Sequence, residues 1–116
     1  MLFVIIACIV ATRADVIVIQ EATPSILDAI GSVLGSHVKL ESDDVHATSS
    51  SGNTEDGWEN CGMSIMWNDD LFRLTSMGFS NMKHEDYPKR GLLWVRLAVR
   101  SDPSITFIVC NVHMPW

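Results

Sequence analysis

Residues 14–34 read ADVIVIQEATPSILDAIGSVL, and within this segment a strand pattern passes directly into a helix pattern. The four branched apolar residues at 16–19 predict a short strand that is covered on both faces. Thr23 suits a helix N-cap and Pro24 suits the first helical turn, so we expect a helix to begin here. Glu21 lies between the two elements. Because ligands in open α/β sheets gather at the carboxyl ends of strands, Glu21 is a candidate metal ligand.

The predicted helix has one apolar stripe with which it can pack on the preceding strand. The stripe follows helical spacing and consists of Ile26, Leu27, Ile30, Val33 and Leu34. Gly35 is well placed to end the helix, and a brief strand is expected at 37–40. A strand followed by a helix that covers it indicates an α/β fold.

Residues 1–11 form an apolar run that has two interpretations. The run resembles the core of a secretory signal, but no basic residue precedes it and no spacer separates it from the strand at 16–19. The alternative, which we favour, is a buried helix of the same domain. The run is too short to span a bilayer, so no stable membrane association is expected.

Two later segments alternate apolar and other residues, and each predicts a β-hairpin. The first occupies residues 61–74 with turn residues at 68–70, and the second occupies residues 93–112 with a turn at 101–103.

Two polar segments, 41–59 and 80–91, separate these elements. The first has almost no apolar residue and is rich in Ser, Asn, Asp and Gly. Both are expected to be surface loops.

The composition is that of one small domain. The chain has 116 residues, of which 47% are hydrophobic, so a core can form. The net charge of −6 disfavours a broad basic surface for nucleic acid, and a phosphate would have to be met locally, most simply by a bound cation. The three cysteines have no paired spacing, so we expect neither a disulfide framework nor a zinc site, and an intracellular location, cytoplasmic or nuclear.

Polar residues that could take part in catalysis come at the ends of two predicted strands. Glu21 follows the first strand, and Asn111 and His113 share one parity at the end of the last. Each has an ordinary structural explanation when taken alone. Glu21 would complement a helix dipole, His113 would be a hydrogen-bonded strand-end residue, and Asn111 would close a turn.

The order of these residues along the chain resembles the motif order of the endonuclease/exonuclease/phosphatase superfamily, which has the deoxyribonuclease-I-like fold. The matching residues, in chain order, are Gln20, Glu21, the segment N-C-G-M-S-I-M-W at 60–67, Arg96, Asn111 and His113. The segment at 60–67 and Arg96 are the looser matches. The resemblance implies a layered α/β sandwich with mixed or antiparallel strands.

The resemblance also implies metal-dependent hydrolysis of a phosphate ester, with Mg²⁺ or Mn²⁺ as the cofactor. Glu21 matches the family's metal-binding glutamate, and hard cations prefer carboxylate oxygens. His113 matches a histidine that contacts a phosphate oxygen, where a donor stabilises the charge that develops as water attacks phosphorus. Asn111 is expected to support catalysis from the same strand end. The expected partner is a phosphoester substrate, a class that includes nucleic acids.

By comparison with the family, residues 1–116 correspond to a partial domain. The family's first strand, which carries a metal-site asparagine, and the Asp-x-Asn and Asp-His pairs of its C-terminal half have no counterpart in the sequence. One protein carboxylate holds Mg²⁺ weakly, so we expect little activity from this chain alone. A missing half of the domain or self-association is expected to cover its sheet edges. The alternative is a non-catalytic remnant of the fold, or a small α/β interaction module in which the same residues are structural.

Overall fold

The computed structural model describes residues 2–41, 62–81 and 91–114, which form two helices and six strands. The elements are α1 (Leu2–Thr12), β1 (Val16–Ala22), α2 (Pro24–Leu34), β2 (His37–Glu41), β3 (Gly62–Asn68), β4 (Phe72–Asn81), β5 (Gly91–Val99) and β6 (Asp102–Val112).

The strands form two antiparallel three-stranded sheets. Sheet A has the strand order β1-β3-β2, and sheet B has the order β4-β5-β6. The core between the sheets consists of Met63, Ile65 and Trp67 from β3 with Leu93, Val95 and Leu97 from β5. On the other face of sheet A a second core joins the sheet to the helices through Ile17, Leu27, Ile30 and Met66. This order of layers confirms the predicted α/β sandwich.

The helix α2 begins and ends where the sequence predicts. Thr23 is extended, and its carbonyl oxygen accepts hydrogen bonds from the backbone N–H groups of Ile26 (3.1 Å) and Leu27 (3.2 Å). The Thr23 side chain does not cap the helix; its Oγ1 lies 3.0 Å from the Ser25 hydroxyl instead. At the other end Gly35 has a φ of 69° and donates its N–H to the Gly31 carbonyl, so a glycine suits this position.

The segment expected to be a buried helix at 1–11 forms the helix α1, but the helix is buried on one side only. Ile6 and Ile9 pack against the second core, whereas Ala7, Cys8 and Ala11 are exposed. No helix in the described ranges is long and apolar enough to cross a bilayer.

The expectation that the strand at 16–19 is covered on both faces is wrong for β1 and describes β3 instead. β1 is an outer strand of sheet A, and Val18 on it is 44% exposed. β3 is the central strand, and all five residues at 63–67 are buried, because the other sheet covers one face and the helices cover the other.

The predicted hairpin at 61–74 is also wrong, because its two strands belong to different sheets. β3 pairs with β1 and β2, whereas β4 pairs with β5. The turn at Asn68, whose carbonyl accepts the Leu71 N–H (3.1 Å), carries the chain from one layer to the other. The second predicted hairpin is confirmed as the antiparallel pair β5–β6.

The two polar segments fall mostly outside the described residues. Glu41 is the last residue of β2, and 42–59 lie outside the described ranges. Of the second segment, Ser80 and Asn81 end β4 and Gly91 begins β5, while 82–90 are not described.

Candidate functional site

Glu21 lies in a β-bulge near the end of β1. Ile19 pairs with Ser64 and Ala22 pairs with Gly62, so two residues of β1, Gln20 and Glu21, lie opposite a single residue of β3. Glu21 has a φ of +54°, in the left-handed region that non-glycine residues seldom adopt. A bulge re-aims the side chains around it.

The bulge places the side chains of Gln20 and Glu21 toward the same neighbour. In a regular strand adjacent side chains point to opposite faces of the sheet. Here Gln20 and Glu21 both contact the end of β6 in sheet B: Gln20 bonds to Val112, and Glu21 lies beside His113. With strict alternation the Glu21 side chain would point away from sheet B. The extra residue in β1 therefore brings the Glu21 carboxylate to the gap between the sheets.

His113 follows the last residue of β6, and a backbone hydrogen bond to β5 fixes its position. Its N–H donates to the Gly91 carbonyl (3.0 Å), which extends the pairing of β6 with β5 by one step. The His113 side chain is 15% exposed, and its Nε2 lies 3.3 Å from Oε1 of Glu21, whose side chain is 59% exposed. The structure thus brings together the acid and the imidazole that the sequence placed at two distant strand ends.

Asn111 is the buried member of the site, with 1% of its surface exposed. Its Nδ2 donates to the backbone carbonyls of Ile19 (2.8 Å) and Ser64 (3.1 Å), which belong to β1 and β3 of the opposite sheet. Its Oδ1 accepts a hydrogen bond from Gln20 Nε2 at 3.4 Å. Asn111 therefore joins the two sheets at the site.

Of the two looser sequence matches, Arg96 lies away from this arrangement, and the described part of the segment at 60–67 contributes a backbone carbonyl, that of Ser64. Arg96 is exposed and alternates with the buried Val95 and Leu97, so it lies on the outer face of sheet B. Within the segment at 60–67, the residues from Met63 to Trp67 are buried in the core.

Among the remaining histidines, the structure describes His37. His37 is partly buried: its Nε2 lies 2.9 Å from the Ala14 carbonyl oxygen, and its Nδ1 is buried with no hydrogen-bond partner among the described residues. His46 and His84 lie outside the described residues.

A metal ion bound at these strand ends would have one carboxylate ligand from the described residues, that of Glu21. Across residues 2–41, 62–81 and 91–114 no three His, Cys, Asp or Glu side chains gather in a group that could hold a metal ion. Glu21 has the right chemistry for a hard cation, but Mg²⁺ requires octahedral coordination, so the other ligands would have to come from elsewhere.

Sequence reasoning assigned no role to Gln20 and did not foresee the bulge. In the sequence, Gln20 stands out as part of the Gln20-Glu21 motif match. A glycine often marks a bulge, and this bulge contains none.

Comparison with known proteins identifies the fold. No protein-family model matches the sequence, and no curated protein matches it. Among solved structures, D. rerio TDP2 complexed with a single-strand DNA product matches 94% of this chain with a TM-score of 0.66 and 13% identity, and a humanized D. rerio TDP2 with 14 mutations matches 94% with a TM-score of 0.63 and 12% identity. ANGEL2, a 2′,3′-cyclic phosphatase, matches 96% with a TM-score of 0.68 and 18% identity.

The matched region is only a part of each of those structures. The present chain spans 37% and 36% of the two TDP2 chains and 30% of ANGEL2. TDP2 and ANGEL2 both belong to the endonuclease/exonuclease/phosphatase superfamily. The chain therefore has the fold of part of an endonuclease/exonuclease/phosphatase domain, with its two sheets and two helices in the corresponding arrangement.

Proposed function

We propose that this chain is part of a metal-dependent phosphoester hydrolase, in which Glu21 binds Mg²⁺ or Mn²⁺ and His113 contacts the substrate phosphate. The observation that carries the proposal is the 3.3 Å separation between Glu21 Oε1 and His113 Nε2, which joins the tips of strands from two different sheets. The fold shared with TDP2 and ANGEL2 supports it.

His113 has the position and chemistry of a hydrogen-bond donor to a substrate phosphate. Its ring is mostly enclosed, its backbone is fixed by Gly91, and its Nε2 faces the gap between the strand tips. A donor fixed in this way stabilises negative charge on a phosphoryl oxygen without having to reorganise.

We expect Glu21 to be the member of the pair that changes position when a metal ion and a phosphate bind. At 3.3 Å the carboxylate and the imidazole leave no room for a phosphate oxygen between them, and Glu21 is the more exposed of the two. We therefore expect Glu21 to turn toward the ion while His113 stays in place. When bound, a divalent ion would polarise a phosphoryl oxygen and lower the pKa of a coordinated water.

The proposed enzyme needs more polypeptide than these residues. We propose that residues 1–116 correspond to one part of a larger domain, and that other parts supply the remaining metal ligands. Glu21 alone is too few protein ligands for Mg²⁺, so we expect little or no hydrolysis by the 116-residue chain by itself.

The substrate is proposed at the level of a class. One similar structure holds a single-strand DNA product and another is a 2′,3′-cyclic phosphatase, which favours a phosphoester of nucleic-acid type. Because the chain carries a net charge of −6, we expect contact with such a substrate to be local and to depend on the bound cation.

The test is an assay of a complete domain, with the flanking polypeptide restored, on single-stranded nucleic acid and on 2′,3′-cyclic phosphate substrates, with Mg²⁺, with Mn²⁺ and with a chelator. Glu21→Gln should lower the rate by about 10- to 100-fold or more because a metal ligand is weakened. His113→Ala should lower it by about 100- to 1,000-fold because a charge-stabilising donor is lost.

Asp28→Asn is the matched control for the carboxylate. Asp28 is a surface acid on α2 that pairs with Lys39 at 2.7 Å, away from the strand tips, so its substitution should leave the rate unchanged. Equal measurable rates in the unsubstituted domain, Glu21→Gln and His113→Ala would refute both roles. No detectable hydrolysis by any of the three would favour the alternative of a non-catalytic module in which these residues are structural.

A further inference from the structure

We infer that Gln20 is a positioning residue for the Glu21–His113 pair, an inference that rests on the proposed function of that pair. Gln20 Nε2 donates to the Val112 carbonyl oxygen at 2.5 Å. Gln20 immediately precedes Glu21, and Val112 immediately precedes His113. The hydrogen bond therefore joins the side chain of the residue before Glu21 to the backbone of the residue before His113.

The bulge makes this bond compatible with the Glu21 contact. Gln20 lies opposite Met63, which faces the core between the sheets, so ordinary alternation directs Gln20 toward sheet B. Glu21 reaches the same side only through the bulge and its φ of +54°. A left-handed non-glycine residue costs free energy and persists where its surroundings hold it. The hydrogen bond from Gln20 to Val112 is one interaction that can stabilise this conformation of Glu21, because Gln20 is the adjacent residue.

The link requires a donor at position 20. Both atoms that Gln20 Nε2 approaches, the Val112 carbonyl oxygen and Asn111 Oδ1, are acceptors. An amide group supplies two N–H donors and can serve both. A methionine of similar length supplies none, and a glutamate would place a third acceptor against the other two.

Asn111 and Gln20 form side-chain hydrogen bonds in both directions between the ends of β1 and β6. Asn111 reaches from β6 to the backbone of β1 and β3, and Gln20 reaches from β1 to the backbone of β6. Asn111 is enclosed and holds the sheets together, whereas Gln20 lies at the exposed end of the link, next to the reacting groups. Gln20 is thus expected to set the geometry of the pair more than the stability of the fold.

The test compares the full 116-residue chain with its Gln20→Met variant by NMR. In the unsubstituted chain the nuclear Overhauser effect between the Glu21 side-chain protons and the two His113 ring protons that flank Nε2, those on Cδ2 and Cε1, should be strong. In Gln20→Met this effect should fall severalfold. Thr75→Val is the control, because Thr75 Oγ1 makes a comparable side-chain bond to the Arg96 carbonyl (3.1 Å) within sheet B. That variant should keep the full effect. An unchanged effect in a folded Gln20→Met variant would overturn the inference.

A second measurement needs no variant. In the unsubstituted chain the Gln20 side-chain amide protons should exchange slowly with solvent and be shifted from those of a free glutamine. Rapid exchange at free-glutamine shifts would overturn the inference even if Gln20→Met failed to fold.

Kinetics of the complete domain separate this inference from the proposed function. Gln20→Met should lower kcat with little change in KM, because the pair is misplaced while the substrate-binding surface is retained. If Glu21→Gln has no effect on the rate, the proposed function fails, but the NMR outcome still decides whether Gln20 positions the pair.

Discussion

Asn111 offers the sharpest test of how the two sheets are joined at the site. Its amide nitrogen donates to two backbone carbonyls of sheet A, those of Ile19 at 2.8 Å and Ser64 at 3.1 Å, from a side chain that is 1% exposed. Asn111→Asp keeps the shape of the side chain, so it opens no cavity. It replaces the donor with an oxygen that faces two carbonyl oxygens, and introduces a buried charge.

The expected loss of stability follows from these contacts. Asn111→Ala removes the two hydrogen bonds donated by Nδ2, at about 1 kcal/mol each, together with the longer one accepted from Gln20, and leaves a small cavity, so the free energy of unfolding should fall by about 2–4 kcal/mol. Asn111→Asp should cost more, about 3–5 kcal/mol, because an uncompensated charge is left in a buried position. Either value is a large fraction of the roughly 5–15 kcal/mol by which domains are ordinarily stable.

The assay is urea unfolding followed by tryptophan fluorescence, with Asn68→Asp as the matched control. Asn68 lies at the end of β3, makes only a 3.4 Å side-chain contact with Asp15, and uses its Oδ1 to accept the Asp70 N–H, which an aspartate can also accept. The control should cost less than about 1 kcal/mol, as expected for surface charges. Asn111 does not join the sheets through its amide nitrogen if Asn111→Asp is no more destabilising than Asn111→Ala, or if both match the control.

Three further outcomes are expected from the same structure. A Cβ at Gly78 would lie 2.5 Å from Trp94 Nε1, so Gly78→Ala should displace the indole, change its fluorescence and lower the free energy of unfolding by about 1–3 kcal/mol; an unchanged emission spectrum would contradict the packing. Leu27 is 2% exposed between α2 and sheet A, so Leu27→Ala should cost about 2–5 kcal/mol in urea unfolding, and a loss below 1 kcal/mol would mean that the helix is not docked as described. The isolated 116-residue chain should self-associate through its uncovered strand edges; sedimentation velocity that finds a monomer at every concentration tested would contradict this.

The sequence predicted local structure better than it predicted strand partners. The change from a run of branched apolar residues at 16–19 to a helical stripe after Pro24 placed β1 and α2 correctly, because a proline, a glycine and apolar spacing all act within a few residues. Alternation at 61–74 identified strand residues but assigned them to one hairpin. The pairing of β3 with β1 depends on contacts far apart in the sequence, and a turn at Asn68 is equally compatible with a hairpin or with a crossing between sheets.

The candidate site shows the same division between local and distant causes. Glu21 and His113 could be proposed because polar residues at strand ends are visible in the sequence and match a family's motifs. The bulge could not be predicted, because Glu21 adopts a positive φ without the glycine that usually signals one. The partners of Asn111 and Gln20 are mostly backbone carbonyls, which every residue possesses, so side-chain identity gives no hint of them.

The position of the site links its chemistry to the stability of the fold. β1 is an outer strand of sheet A and β6 is an outer strand of sheet B, and Glu21 and His113 lie where the ends of these two strands meet. Val18 on β1 and Ile108 and Val112 on β6 are apolar yet 40–52% exposed. Polypeptide that covered these residues would bury apolar surface and would lie beside the Glu21–His113 pair. We therefore expect that restoring the flanking polypeptide raises the free energy of unfolding and the metal affinity together. A complete domain that gained stability but still bound Mn²⁺ no better than the 116-residue chain would separate the two effects and count against Glu21 as a metal ligand.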